Sequence, residues 1–298
     1  MLQTDAISVA RFSLKIIDPE DTSWHIWWCE TGDVLRQALD GDRKKLRPYQ
    51  RVPHFRNHYE LTRKNYLYRN LKRYRKDLLK AGKIAEARIS DTMPVTFELP
   101  SDYRLFVEEY HKQQGATWIV KPVARSQGKG IFLFRKLKDL AEWKSKGAKL
   151  QESGVPTEIY VVQKYIDNPY LVAGKKKKKK KKKIIIIYHN INYRRKFDLR
   201  IYVLVTSFHP LKVWLAREGF ARLCGQLFDL ENIDDNRVHL TNTAIQLKAS
   251  QRTKSISSTK GENGEWRCKW ALNKLRDYLT DHYETDKVEN LMQRIAGV

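Results

Sequence analysis

Between Trp118 and Phe134 the chain reads Trp-Ile-Val-Lys-Pro-Val-Ala-Arg-Ser-Gln-Gly-Lys-Gly-Ile-Phe-Leu-Phe. Lys121 ends an apolar, strand-like run. A turn carrying Arg125, Gln127, Gly128, Lys129 and Gly130 follows, and a second apolar run resumes at Ile131. Glycines let backbone amides approach an oxyanion closely, and lysines supply compact point charges for phosphates. No helical pattern follows the turn, so it is neither a P-loop nor a dinucleotide-binding βα turn. On residue types alone it reads equally as a phosphate cradle or as a basic hairpin.

Other chemistries are poorly represented. Cys29, Cys224 and Cys268 are scattered, which provides neither a disulfide framework nor a zinc site and fits a reducing compartment. The eight histidines have no metal-ligand spacing, and Asp234-Asp235-Asn236 reads as a polar turn. The N-terminus has no apolar signal region, and the one long aliphatic run, Ile184–Ile187, is too short to span a bilayer. A soluble, intracellular protein with no membrane partner is expected. The net charge of +24 calls for a polyanionic partner. Nine of those charges sit in Lys175–Lys183, and the remaining sequence is still strongly basic. The lysine run meets no aromatic residue until Tyr188, which argues against a stacking platform for nucleic acid.

Fifteen Tyr and eight Trp point to a packed core rather than disorder. An aromatic strand is expected at Trp24–Cys29, a short helix at Val34–Leu39 and a loop from Gly41 to Pro53. A long helix is expected over Tyr59–Lys80, with Leu67, Leu71, Tyr74 and Leu78 on its apolar face. Its polar faces carry Arg69, Lys72, Arg73, Arg75 and Lys76, either as a solvated surface or as a dock for an acidic polymer. Ser101 is the expected N-cap of a helix running to about Gln114. Strands follow at Thr117–Lys121, Ile131–Phe134, Glu158–Gln163, Asp198–Ser207 and Val213–Ala216, with a helix at Leu137–Lys146 and a helical tail from Trp270. The class is α+β, with an N-terminal and linker region over 1–115 and a second region over 116–298. The lysine-rich stretch 175–194 reads as an insertion in an exposed loop.

The order of motifs resembles the tubulin tyrosine ligase-like family, and within it the tubulin polyglutamylases. The carriers are Arg56-Asn-His-Tyr-Glu-Leu-Thr-Arg-Lys64, Lys121-Pro122, Gln127-Gly-Lys-Gly-Ile131, Gln163-Lys164-Tyr165-Ile166, Lys196-Phe197-Asp198-Leu199-Arg200, Gly219-Phe-Ala-Arg222 and His239-Leu-Thr241-Asn242. The resemblance implies an ATP-grasp-like ligase that phosphorylates a carboxylate and lets an amine displace the phosphate. It assigns Lys121 to the α- and β-phosphates, Gln127 and Gly128 to the loop above them, and Gln163–Ile166 to the adenine hinge. Lys196, Phe197 and Asp198 fall on the ribose side, and Thr241 and Asn242 complete the nucleotide pocket. Arg222 and Lys269 match positions that hold the carboxylates of an incoming L-glutamate, and Arg200 matches a cation on the transferring phosphoryl group. His239 receives no role.

ATP and Mg2+ are the implied cofactors, tubulin and microtubules the implied partners through acidic tails, and cytoplasm, cytoskeleton, cilium or basal body the implied location. The family's magnesium ligands, an Asp and a Glu-x-Asn pair, have no counterpart before Val298, so an ATP-grasp domain incomplete at its C-terminal end is expected. The alternative reading is an inactive fragment or pseudoenzyme that binds microtubules or scaffolds a glutamylase complex.

Overall fold

A computed structural model describes residues 15–18, 21–33, 46–142, 158–173, 194–252 and 268–297. The helix expected at Val34–Leu39, the lysine run and the end of the helix expected to reach Lys146 lie outside these residues. Contacts divide the chain into two compact units, Met1–Thr62 and Arg63–Val298.

In the first unit the expected strand at Trp24–Cys29 is reduced to one parallel bridge, Ile26 to Arg51. Trp27 N–H donates to the Arg51 carbonyl at 3.0 Å, and Arg51 N–H to the His25 carbonyl at 2.8 Å. Buried Gln50 ties the segment together by donating to the Thr22 carbonyl. Two short helices, α1 (Thr31–Asp33) and α2 (Tyr59–Thr62), complete the described part.

The single helix expected over Tyr59–Lys80 is broken. Arg63 is extended, with φ −82° and ψ 130°, and α3 (Lys64–Lys80) starts after it. Leu78 is buried as expected, but Tyr74 is exposed. Helix α4 (Ile84–Ile89) follows, then strand β1 (Thr96–Leu99), which the sequence did not announce. Helix α5 (Tyr103–Lys112) is preceded by Asp102 rather than Ser101, and neither side chain caps it. Instead, the Ser101 hydroxyl donates to the Glu98 carbonyl and Asp102 accepts from Glu98 N–H, fixing the corner between β1 and α5.

Strands β2 (Trp118–Pro122), β3 (Phe132–Phe134) and β4 (Tyr160–Lys164) join β1 in an antiparallel sheet of order β1-β4-β2-β3. Side chains alternate between faces along each strand. One face carries Leu99, Trp118, Val120, Phe134 and Val162, packed against Phe106 of α5 and Leu140 of a helical stretch at 137–142. Thus α5, which the sequence placed ahead of residue 115, shares a core with the strands beyond it. The other face carries Thr96, Ile119, Lys121, Leu133 and Gln163, and the segment bearing Phe228, Leu240 and Ile245 packs on its apolar part.

The second sheet has order β5-β6-β7-β8, formed by β5 (Leu171–Ala173), β6 (Arg194–Phe208), β7 (Leu211–Leu223) and β8 (Lys269–Ala271). Both long strands outrun their expected bounds. Arg194, expected within the insertion, is the first residue of β6 and pairs with Ala173. Gly219 serves a close approach: a Cβ there would stand 2.6 Å from the Arg200 carbonyl oxygen. Phe197, Leu199, Ala221, Leu223 and Trp270 turn to one face, covered by α8 (Leu272–Thr280) and α9 (Thr285–Ala296). The alternation sends Lys196, Asp198, Arg200, Arg222 and Lys269 to the opposite face. Helices α6 (Asn236–His239) and α7 (Thr243–Arg252) lie between β7 and β8 in sequence. Asp235 caps α6 by accepting from Arg237 N–H and pairs with the Arg237 guanidinium, so the acidic cluster at 234–235 has a local structural task.

Candidate functional site

The polar face of the first sheet aims Lys121 through a chain of hydrogen bonds. The Thr96 hydroxyl donates to the Pro94 carbonyl at 2.6 Å, so its oxygen accepts from Gln163 Nε2 at 2.8 Å. That fixes the amide with Oε1 toward Lys121, whose Nζ donates to it at 2.6 Å. Burial holds the Lys121 amine down to about 8, helped by the charges of Lys196 and Lys64. Lys196, from the second sheet, is also pushed to about 8 by burial, against the opposing pull of Cys224 and Asp198. Lys121 from the first sheet and Lys196 from the second are anchored on Gln163 and Tyr165, two residues apart, and their charges repel. Such a pair favours an anion with several charged oxygens.

The turn after Lys121 is anchored from behind. Lys64, at the start of α3, donates to the carbonyls of Pro122 at 2.9 Å, Val123 at 3.4 Å and Arg125 at 2.9 Å. Arg125 pairs with Glu158 at 2.7 Å. Gln127 and Gly128 both have positive φ, 60° and 78°. A Cβ on Gly128 would meet Ile245 Cδ1 at 2.5 Å and Asn242 Oδ1 at 3.2 Å. The turn is thus brought against Asn242 and Ile245. The Asn242 carbonyl accepts from the amides of Ile245 and Gln246 at the start of α7. Gln246 in turn accepts from Gly225 N–H and donates to the Leu240 carbonyl.

Around the expected hinge, the Lys164 and Tyr165 amides already donate to Val95 and Thr117 carbonyls. Those two N–H groups are engaged within the fold, whereas Ile166 is exposed. Lys164 is in register with Trp118, on the face away from Lys121. Tyr165 is buried, and its hydroxyl meets both Lys196 and His239.

Asp198, Arg222 and Lys269 sit directly opposite one another on β6, β7 and β8. Arg222 forks onto Asp198, with Nε donating to Oδ1 at 2.8 Å and Nη2 to Oδ2. A guanidinium has five N–H donors, so three remain for a carboxylate. The Asp198 hydrogen bond, then burial, sets the Arg222 pKa, and the net effect is upward. Lys269 is exposed and lies over the Phe220 ring at 4.0 Å. Arg200 is exposed on the same face, in register with Phe220. The Phe197 ring does not join them: it packs into the opposite core, beside Tyr170.

Two contributors were not legible as site residues. Lys64 lies in the run Leu-Thr-Arg-Lys, but only the fold shows it reaching the turn 58 residues away. His239, left without a role, is buried and stands under the Lys196–Tyr165 contact. Among the described residues, no three His, Cys, Asp or Glu side chains are grouped to hold a metal ion. No helix among them is long and apolar enough to cross a membrane.

The profile of the Tubulin-tyrosine ligase family matches residues 42–297. The chain is 43% identical to "Probable tubulin polyglutamylase TTLL9" of Bos taurus over 307 residues, covering 94% of this chain and 59% of that protein. It is 42% identical to "Probable tubulin polyglutamylase ttll-9" of Caenorhabditis elegans, covering 92% and 57%. It is 38% identical to "Probable alpha-tubulin polyglutamylase Ttll1" of Tetrahymena thermophila, covering 97% and 65%. The chain therefore spans less than two thirds of the length of these curated relatives.

Proposed function

We propose a function from one premise: the chain belongs to the tubulin-tyrosine ligase family. Its fold is α+β with two antiparallel sheets, as an ATP-grasp-like ligase requires. The reading is an ATP-dependent ligase that adds glutamate to glutamate side chains of tubulin tails. The relatives' names, tubulin polyglutamylases, supply the substrate.

One observation carries the nucleotide half of this reading: Lys121 and Lys196, each desolvated, come from separate sheets to be anchored two residues apart, on Gln163 and Tyr165. Such a pair is unfavourable without a ligand and becomes favourable when phosphates enter. In the proposed reaction, a substrate carboxylate attacks the γ-phosphorus and ADP leaves. The amine of the incoming glutamate then attacks the acyl carbon, phosphate departs, and the amine proton passes to solvent. Lys121 and Lys196 hold the phosphates, Gln127 and Gly128 close over them, and Thr241-Asn242 borders that loop. Gln163–Ile166 provides the hinge and Asp198 the ribose side. Arg222 and Lys269 hold the glutamate carboxylates, and Arg200 offsets charge on the transferring group. Work on the cytoskeleton, including cilia, follows from that substrate.

The test uses Lys121→Ala. Titration calorimetry with ATP should show at least a tenfold loss of affinity, about one charge-assisted hydrogen bond, with circular dichroism unchanged. Unaltered affinity would reject the phosphate assignment. Supplying labelled glutamate, ATP and microtubules separates the two functional readings. Label on tubulin establishes the ligase, whereas ATP binding without transfer supports the inactive fragment or pseudoenzyme.

A further inference from the structure

Behind Lys196 lies a buried line of hydrogen bonds whose polarity can be worked out from one end. The Asn232 carbonyl oxygen can only accept, so His239 Nε2, 2.9 Å from it, carries a proton. His239 is 1% exposed, and burial together with the Lys196 charge holds it below the ordinary histidine range, against the pull of Asn232, Asp235 and Asp229. The ring is therefore neutral at physiological pH and its Nδ1 is a bare acceptor. The Tyr165 hydroxyl, 3.0 Å from Nδ1, must donate to it. That hydroxyl has only one hydrogen, so its oxygen is left to accept from Lys196 Nζ at 2.8 Å. A second Lys196 N–H goes to the His239 carbonyl at 3.1 Å, and the amine sits 4.2 Å from the centre of the Tyr165 ring.

We propose that Asn232, His239 and Tyr165 form a positioning relay that fixes the direction of the Lys196 amine and leaves it one N–H for an anionic ligand. An ammonium has three N–H groups, and two are engaged by the relay. Tyr165 and His239 are thus positioning residues: they set the geometry of a cation without standing in for it. The relay is built by the local fold. Asp235 starts α6, the four-residue helix ends at His239, and the ring swings back to Asn232. The other ionisable groups facing Lys196 are Lys121 of β2, Asp198 of β6 and Cys224 at the end of β7. Burial raises the Cys224 thiol to about 12, against the opposing effect of the Lys196 charge. The inference rests on the nucleotide reading for its ligand, but the relay can be measured without one.

The decisive variant is Tyr165→Phe, which keeps the ring beneath the amine and removes only the hydroxyl. Lysine labelled with 13C at Cε reports the Lys196 titration by NMR, with the resonance assigned by Lys196→Arg. Losing an acceptor for the charged form should move that titration to lower pH. ATP affinity at pH 7.5 should fall roughly tenfold, as expected for one charge-assisted hydrogen bond. In the unsubstituted chain, 15N histidine spectra should show His239 neutral at pH 7 and protonated at Nε2. A His239 protonated at Nδ1, or charged at pH 7, would overturn the relay, as would a Lys196 titration unmoved in Tyr165→Phe. If that titration moves while the unsubstituted chain fails to bind ATP, the relay stands and the nucleotide reading falls. If ATP binds and the titration does not move, the opposite holds.

Discussion

Lys121 and Lys196 lose their protons near pH 8 instead of the ordinary 10.5, which links protonation to both stability and binding. The folded chain holds fewer protons than the unfolded chain between those two values. Stability should therefore rise with pH through that window, and the cost of two charged, half-buried amines is fully present below it. Phosphates reverse the preference because they favour the ammonium forms. ATP binding at pH 8.5 should take up protons, and affinity should decline as pH rises past 8. Calorimetry in two buffers of different ionisation enthalpy measures the uptake directly. Zero uptake at pH 8.5 would mean that neither amine meets the nucleotide.

The basic helix α3 shows how a run of like charges divides into separate tasks. Arg69 reaches buried Glu98 of β1 at 2.8 Å, and Arg75 pairs with Asp91 at 3.0 Å. Both are tied to the fold. Lys72 leans on the Tyr68 hydroxyl and Arg73 on Asn70, contacts within the helix that leave both cations at the surface. Lys72, Arg73, Lys76 and Lys80 therefore present one basic stripe at helical spacing. If that stripe receives glutamate-rich tails, Arg73→Glu with Lys76→Glu should weaken microtubule cosedimentation several-fold. Arg69→Glu should instead lower thermal stability by stranding Glu98. Binding should also fade with salt, because the Debye length shrinks from about 8 Å at physiological ionic strength to about 3 Å at 1 M. Cosedimentation indifferent to salt, to the double substitution and to removal of the tails by subtilisin would make the stripe an ordinary solvated face.

At the level of the whole molecule, the second sheet determines whether the lysine-rich stretch matters. Ala173 and Arg194 are partners across β5 and β6, and Phe228 N–H donates to the Arg194 carbonyl. The ends flanking residues 174–193 are thus already adjacent, and a short turn can join them. Loop-closure cost changes by only about 0.6 kcal/mol per doubling of length, so shortening this connection has little to gain or lose. Replacing Lys175–Tyr193 by two glycines should leave the thermal midpoint equal or higher and should preserve ATP affinity. Extending the deletion to Arg194 should cost stability, because it removes a strand residue. A drop of many degrees on the shorter deletion would show that the stretch supports the fold.

The apolar runs around Lys121 and around Asp198 announced β2, β3, β6 and β7, because period-two alternation and β-branched residues are local properties. The same alternation dictates that Lys196, Asp198 and Arg200 share a face, whichever strand lies beside them. The order of motifs likewise carried the family. Strand β1 was hidden, since Thr-Phe-Glu-Leu contains a carboxylate that becomes tolerable only when Arg69 arrives from another element. The break at Arg63 has no proline or glycine to mark it, and the chain extends there before Lys64 reaches the carbonyls at the end of β2 and just beyond it. Asp198 could have paired with Arg200 two residues along, but the β6–β7 register sets Arg222 directly opposite it. His239 gained its place in the same way, through Tyr165, 74 positions earlier in the chain. Residue types determined which groups could carry charge and which runs would form strands. Which cation met which acceptor was decided by tertiary structure, because hydrogen bonds require a separation near 3 Å that sequence distance does not encode.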